Sequence, residues 1–252
     1  MSENMLSYHI VIPARYASTR FPGKPLQDIN GKTMLEHVYL VAQKSTASSI
    51  VIATDDQRIK QVAETFCEQV IMTSGQHQSG TDRLAEVCQK KQWHENEIVV
   101  NLQGDEPLTP PELLYQVANN LHENEQAAIA TLTTPLTQAS EIDDPNIVKV
   151  VSDINGFALY FSRATIPYQR DVSVSANINY YQRHLGIYAY RVGFLNAYTH
   201  MPQSEIEITE KLEQLRALYH GYKIHTQQAE KLPGPGIDTP EDLDKLNSLM
   251  AL

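Results

Sequence analysis

Arg15, Arg20 and Lys24 fall within ten residues of one another in "PARYASTRFPGKPL" (13–26), and the first acid beyond them is Asp28, in a chain of formal net charge −10. Loop cations are ordinarily solvated surface residues. Here Pro13, Pro22 and Pro25 bracket them. Proline fixes the backbone and removes donors, so the loop is stiffened while its other N–H groups and its cationic tips can face inward. Arg offers planar, bidentate contacts to phosphate oxygens and Lys a compact charge. The chemistry that suits such a loop is capture of a polyphosphate. It is neither of two common fingerprints, because no G-x-G-x-x-G follows the first apolar run and no G-x-x-x-x-G-K-[ST] occurs anywhere. Dinucleotide-dependent hydride transfer and P-loop ATP hydrolysis lose support accordingly.

A second chemistry-bearing pair is acidic. Asp105 stands in "NLQGDEPLTPP" and Asp238 in "GPGIDTP". A carboxylate facing a cationic loop suits Mg²⁺, which takes one or two protein carboxylates together with water and substrate phosphates. Each acid has a plainer reading as well: Asp105 as a turn residue capping a helix that begins near Pro110, and Asp238 as an N-cap in competition with Thr239. No His/Cys cluster has zinc spacing, so an oxygen-liganded metal is the kind to expect.

"HQSGTDRLAE" (77–86) sets Ser79 or Thr81 to cap a helix. The same helix start could instead bind an anion or read a base edge through backbone donors, with Arg83 in its first turn. "FSRATIPYQRD" carries Arg163 and Arg170, which suit either solvent or a carboxylate-bearing substrate. In "RHLGIYAYR" a strand puts His184, Gly186 and Tyr188 on one face. Over Ser204–Leu218 the spacing predicts one helix, with Ile208, Leu212, Leu215 and Tyr219 as its apolar stripe. Glu207, Glu210 and Gln214 form the adjacent polar face, and Glu207 can complete a capping box with Ser204.

Strands and helices must position these groups. Tyr8–Pro13 is a continuous apolar run, as in a strand buried on both faces. An Asn30-Gly31 turn precedes a helix at Thr33–Ser45. Then follow a strand in "SIVIATDD", a helix at Gln57–Cys67, a strand at Gln69–Met72, a helix at Thr81–Gln92 and a strand at Ile98–Leu102. Alternation of this kind implies parallel βαβ units, whose ligands bind beyond the carboxyl ends of the strands. From about Ala127 the pattern turns mixed or antiparallel, with a hairpin at Asn155-Gly156, a strand around 183–193, another at Ile224–Gln228 and a last helix at Pro240–Met250. Asp171–Asn179 has neither periodicity nor bulk and reads as a mobile surface loop.

With 252 residues, 42% hydrophobic and 20% charged, the chain is globular in composition and reads as one domain. Its apolar runs are too short to span a bilayer, and "MSENMLSYHIVIP" lacks signal-peptide regions. Cys67 and Cys88 fit free thiols inside a cell, so the expected compartment is the cytoplasm. An acidic surface repels nucleic acid and anionic membranes, which leaves small molecules as partners.

Taken together, "IPARYASTRFPGKPL", "HQSGTDRLAE", "NLQGDEP", "LYFSRATIPYQRD", "RHLGIYAYR", "EKLEQLRAL" and "PGPGIDTPEDL" resemble the 3-deoxy-D-manno-octulosonate (Kdo) cytidylyltransferases, the CMP-Kdo synthetases, in order along nearly the whole chain. The resemblance implies an α/β, Rossmann-like three-layer nucleotidyltransferase fold with a central, mostly parallel mixed sheet and a smaller mixed or antiparallel substrate and dimerisation region. It divides residues 1–252 into a nucleotide-binding half (1–126), a sugar-binding and dimerisation half (127–230) and a C-terminal metal-ligand segment and helix (231–252). The implied reaction is CTP plus Kdo to CMP-Kdo plus pyrophosphate, for lipopolysaccharide assembly, with two magnesium ions when CTP is bound and a homodimer as the working form. Arg15, Arg20 and Lys24 are then assigned to the triphosphate, with Ser79, Gly80, Thr81 and Arg83 near the cytidine. Asp105 and Asp238 become magnesium ligands. Gln103, Arg163, Arg170, His184, Tyr188, Glu213 and Gln214 surround the sugar acid. One departure is Glu205, where the family commonly has proline. On an unbroken helix Glu213 would point away from the face of Gln214.

Overall fold

The computed structural model describes residues 6–17, 21–77, 79–170, 177–237 and 239–250. Arg20, Asp238 and positions 171–176 of the expected surface loop lie outside the described residues. The first half builds β1 (His9–Ala14), the small ribbon β2 (Asp28–Ile29) and β3 (Lys32–Thr33), α1 (Met34–Gln43), β4 (Ser49–Thr54), α2 (Gln57–Ala63), β5 (Val70–Met72), α3 (Gly80–Lys91), β6 (Ile98–Asn101) and α4 (Pro111–Glu123). The second half adds β7 (Ile129–Pro135), β8 (Lys149–Ser152), β9 (Ala158–Ser162), β10 (Gln182–Arg191), α5 (Val192–Tyr198), α6 (Glu205–Glu210), α7 (Gln214–Tyr219), β11 (Ile224–Gln228) and α8 (Pro240–Met250).

Most strands join one mixed sheet in the order β11-β7-β10-β6-β1-β4-β5, with β8 paired to β10 and β9. β1 runs parallel to both β4 and β6. That central place explains its unbroken apolar run: Ile10 and Ile12 enter the core on the side of α1 and α4, while Val11 enters the core on the side of α3 and α5. Helices therefore cover both faces, in three layers. β10 is antiparallel to β6 and β7 and sits between them, so a strand from the second half lies inside the sheet of the first.

Local chemistry sets the element ends. Asn30 (φ 50°) and Gly31 (φ 86°) turn the β2–β3 ribbon, and the Thr33 hydroxyl accepts from the Glu36 N–H to start α1. Thr239 and Asp242 cap α8 reciprocally, so Thr239 takes the cap position for which Asp238 was its rival. α8 then packs Leu243 and Leu246 with Ile237 against Phe21, Ile29 and Met34. The C-terminal segment is thereby fastened beside the cationic loop.

Two expectations change. The helix beginning at Gln57 ends at Ala63, four residues early. The helix expected over 204–218 is two helices, α6 and α7, separated by Lys211 in the left-handed region. The expected stripe breaks with it: Leu212 and Leu215 are buried, but Ile208 and Tyr219 are 48% and 63% exposed.

Candidate functional site

A cavity of about 610 Å³ opens at the carboxyl ends of β1 and β6 and along β10. Its first wall is the loop after β1. Arg15 is exposed on it, and Lys24, only 9% exposed, donates from Nζ to Asp105 Oδ2 at 2.5 Å. Asp105 reaches this place because the Gln103–Gly104–Asp105 turn leaves β6 directly beside β1. A Cβ on Gly104 would stand 2.8 Å from the Pro13 carbonyl oxygen, so this approach is open only to glycine. Asp105 does not cap α4, whose first turn has Pro110 at the cap position.

The chain just before position 238 is held on this same turn. Ile237 N–H donates to the Asp105 carbonyl at 3.0 Å and Gly234 N–H to the Leu108 carbonyl at 3.3 Å. Among the described residues no cluster of three or more His, Cys, Asp or Glu side chains could hold a metal. Magnesium does not require one, since one or two carboxylates suffice when phosphates and water complete the shell. Asp105, a hard oxygen donor beside the cationic loop, fits that ion.

The opposite wall is aromatic. His184, Tyr188, Tyr190, Phe194 and Tyr198 follow one another with ring centroids 5.2, 5.6, 6.1 and 5.7 Å apart. All five line the cavity. A bulge between Leu185 and Tyr188 interrupts the β10 register with β7, yet His184, Gly186 and Tyr188 still share the cavity. Burial holds His184 neutral, pulled down to about 3, with the Arg183 charge adding to the effect. Its Nε2 lies 3.1 Å from Thr131 Oγ1. That hydroxyl has one proton, and the Leu185 and Ile187 carbonyls, at 3.0 and 2.8 Å, compete to accept it. Nε2 must therefore carry the imidazole proton, which leaves Nδ1 as an acceptor.

Glu213 and Gln214 enter from the α6–α7 corner, and both line the cavity. Thr81 Oγ1 donates to Glu213 Oε2 at 3.1 Å. Enclosure by the cavity walls raises the Glu213 carboxyl, the Asp82 and Glu207 charges add to the rise, and Thr81 and Arg216 oppose it. Among the described residues, four buried polar atoms of cavity residues have no partner: Asn101 Oδ1, Tyr188 Oη, Tyr198 Oη and Gln214 Nε2. Buried polar atoms are nearly always bonded, so these four await ordered water or a polar ligand.

Of the residues named from sequence, the cavity gathers Arg15, Lys24, Gly80, Thr81, Gln103, Asp105, His184, Tyr188, Glu213 and Gln214. Four others do not line it. Ser79 caps α3 in a box with Asp82. Arg83 is fully buried, bonded to the Thr73 hydroxyl and to Asp55 Oδ2 at 2.8 Å. Arg163 donates to the carbonyls of Glu210 and Pro145 at 2.7 and 2.8 Å. Arg170 is exposed. Sequence reasoning missed Asn101, Tyr190, Phe194, Tyr198 and Lys211. For Tyr190 the signal was present, since it continues the alternation of His184, Gly186 and Tyr188.

A family model described as cytidylyltransferase matches residues 9–224. A 3-deoxy-manno-octulosonate cytidylyltransferase of Psychromonas ingrahamii is 53% identical over 249 residues, covering 96% of this chain and 98% of its own length. A protein of the same name from Pseudoalteromonas atlantica is 52% identical over 246 residues, covering 96% and 97%. Among solved structures, a CMP:2-keto-3-deoxy-manno-octonic acid synthetase complexed with CTP superposes with a TM-score of 0.88 at 43% identity, over 98% of both chains. A 4-diphosphocytidyl-2C-methyl-D-erythritol synthase from Anaerococcus prevotii, with a TM-score of 0.63 at 15% identity over 98% and 97%, shares the fold.

Proposed function

Since the chain belongs to the cytidylyltransferase family, among the 3-deoxy-manno-octulosonate cytidylyltransferases, we propose that it transfers CMP from CTP to Kdo with release of pyrophosphate. It is a nucleotidyltransferase, and the product is an activated sugar acid for lipopolysaccharide assembly in the cytoplasm. The observation that carries this reading is the division of one cavity. A cation pair and a carboxylate stand at the end of β1 and β6, and hydrogen-bonding groups, several with polar atoms unpartnered among the described residues, line the other wall. One end suits a triphosphate, the other a polyhydroxylated sugar.

In the mechanism the anomeric hydroxyl of Kdo attacks the α-phosphorus in line, and the protein mainly positions the reactants and stabilises charge. Arg15 and Lys24 bind the triphosphate and stabilise the charge passing to the leaving pyrophosphate. Arg20 belongs to the same loop by sequence. Gly80 and Thr81 lie against the cytidine. Gln103, Tyr188, Glu213 and Gln214 hold the sugar, and His184, being neutral, accepts a sugar hydroxyl at Nδ1 rather than pairing with the carboxylate. Asp105 and Asp238 would hold magnesium, and two ions would accompany bound CTP. When bound, magnesium lowers the pKa of the attacking hydroxyl and neutralises phosphate charge.

A homodimer completes the proposal, through the more antiparallel half, where Leu159, Tyr168 and Tyr180 are 63%, 80% and 64% exposed. No helix among the described residues is long and apolar enough to cross a membrane. The deciding experiment is a pyrophosphate-release assay with CTP, Mg²⁺ and Kdo. Sialic acid as acceptor and UTP as donor are the comparison arms. Release with sialic acid alone overturns the acceptor, and no release with any nucleotide overturns catalysis.

A further inference from the structure

The chain between α6 and α7 turns at Lys211, whose φ of 55° lies where side chains are rarely found. Local spacing favours an uninterrupted helix instead, so a tertiary contact must hold the corner. Glu207 and Arg216 make that contact. Arg216 Nε donates to Glu207 Oε2 at 2.8 Å and Nη2 to Oε1 at 2.6 Å, and the two residues are 8% and 4% exposed. In an uninterrupted helix, residues nine apart project from opposite faces and sit about 13.5 Å apart along the axis. The pair therefore exists only when the chain is bent, and straightening it would separate two buried charges from each other, leaving Glu207, among the described residues, only its capping contact with the Ser204 N–H and a longer one with Gln203 Nε2.

The bend decides what reaches the cavity. Glu213 (φ −58°, ψ −33°) is itself helical, so it and Gln214 stay about 100° apart around α7; the turn at Lys211 instead sets the direction from which the start of α7 enters the cavity that both residues line. The Arg216 guanidinium also lies 4.3 Å from the centre of the Tyr198 ring, part of the aromatic wall. Neither Glu207 nor Arg216 lines the cavity itself. We infer that the Glu207–Arg216 pair is a positioning device, which locks the α6–α7 corner so that Glu213 and Gln214 together meet the sugar acid. The role in sugar binding rests on the function proposed above, whereas the locking of the corner does not.

The experiment compares the full chain with Arg216→Met, which keeps length and apolar packing but removes the fork, and with Arg216→Lys, which keeps the charge. Backbone NMR reads the corner directly, through the Lys211 ¹³Cα shift and hydrogen exchange at the Leu212 and Leu215 amides. Arg216→Met should move Lys211 out of the left-handed region and speed that exchange. Kinetically, its KM for Kdo should rise roughly tenfold while the KM for CTP stays within about twofold, with Arg216→Lys between. Gln214→Ala should show a similar defect, and adding Arg216→Met to it should produce little further rise.

An unchanged Lys211 shift with an unchanged KM for Kdo overturns the inference. So does a parallel rise of both KM values with general loss of stability, which marks a bulk structural role. Glu207→Gln retains the capping geometry and serves if Arg216→Met does not fold. If the wild-type chain turns over no sugar acid with CTP, the functional reading fails, and the Lys211 shift still decides whether the pair locks the corner.

Discussion

Replacing Gly104 by Ala tests whether the approach of the two loops matters to catalysis. The added methyl would stand 2.8 Å from the Pro13 carbonyl oxygen, 3.8 Å from its carbon and 3.9 Å from Ala14 Cα. All three are backbone atoms, so no side chain can swing aside. Ordinary contact requires the two segments to part by about 0.6 Å. Overpacking of this kind costs about 2 kcal/mol, or roughly 4–8 °C in Tm for a chain of this size. The larger effect is catalytic, because Pro13 lies at the end of β1, just before the cationic loop, and Gly104 precedes Asp105. The strain therefore separates the cations from the carboxylate, and displacements of this order cost roughly 10- to 100-fold in turnover. Pyrophosphate release at saturating CTP and Kdo, with thermal unfolding alongside, measures both. Gly75→Ala is the control, since its nearest neighbour, Asp55 Cβ, is 4.0 Å away. Wild-type kcat and Tm in Gly104→Ala would refute the argument that this contact sets the site.

Asp105→Asn keeps the shape but removes the charge, and should lower kcat about 100- to 1,000-fold while CTP still binds by calorimetry; unimpaired turnover excludes a metal-holding role. Arg83→Met should destabilise the fold by about 3 kcal/mol in urea unfolding, by stripping Asp55 of its buried partner. A raised KM for CTP without that loss would return Arg83 to the nucleotide. His184, held down to about 3 in the fold from 6.5, refuses a proton that the unfolded chain accepts. Its neutral form costs no stability above pH 6.5, but stability falls as pH drops through the interval from 6.5 towards 3, by about 2 kcal/mol between pH 6.5 and 5. The acid-side slope of unfolding free energy should flatten by that amount in His184→Gln; equal slopes contradict the assignment. Burial pushes the Cys88 thiol up to about 12 and raises Cys67 as well, so neither should label with a thiol reagent at pH 8 until the chain unfolds. Rapid labelling of the folded chain would show that at least one thiol is accessible.

What the sequence made legible was whatever local pattern determines. β1, β4 and β6 appear as continuous apolar runs because parallel strands inside a three-layer fold are covered on both faces. The β2–β3 turn appears because Asn30 and Gly31 both take positive φ. α5 escaped because β10 runs into it with Arg191 at the cap position and no side-chain cap bond. The α6–α7 corner escaped for the opposite reason. Its spacing is a good helix pattern, and a buried ion pair between residues nine apart overrides it. The fates of the arginines were equally out of reach. Arg83 and Arg163 have the same local look as substrate-binding cations, but Asp55 and the Glu210 carbonyl, far away in sequence, claim them first.

The candidate site itself was legible for a geometric reason. β1 and β6 are parallel neighbours, with Val11 opposite Asn101 and Leu102 N–H on the Val11 carbonyl, so the segments that follow them must leave the sheet side by side. A cationic loop after one and an acid after the other cannot avoid meeting. β10 runs the other way, with Tyr188 opposite Asn101. Its earlier residues, His184 and Gly186, are therefore carried past the end of β6 to the same edge as Asp105. Opposite strand directions thus bring loop charges from the first half and strand side chains from the second to a single cavity. The sequence motifs containing Arg15, Asp105 and His184 accordingly meet in space though they lie far apart along the chain.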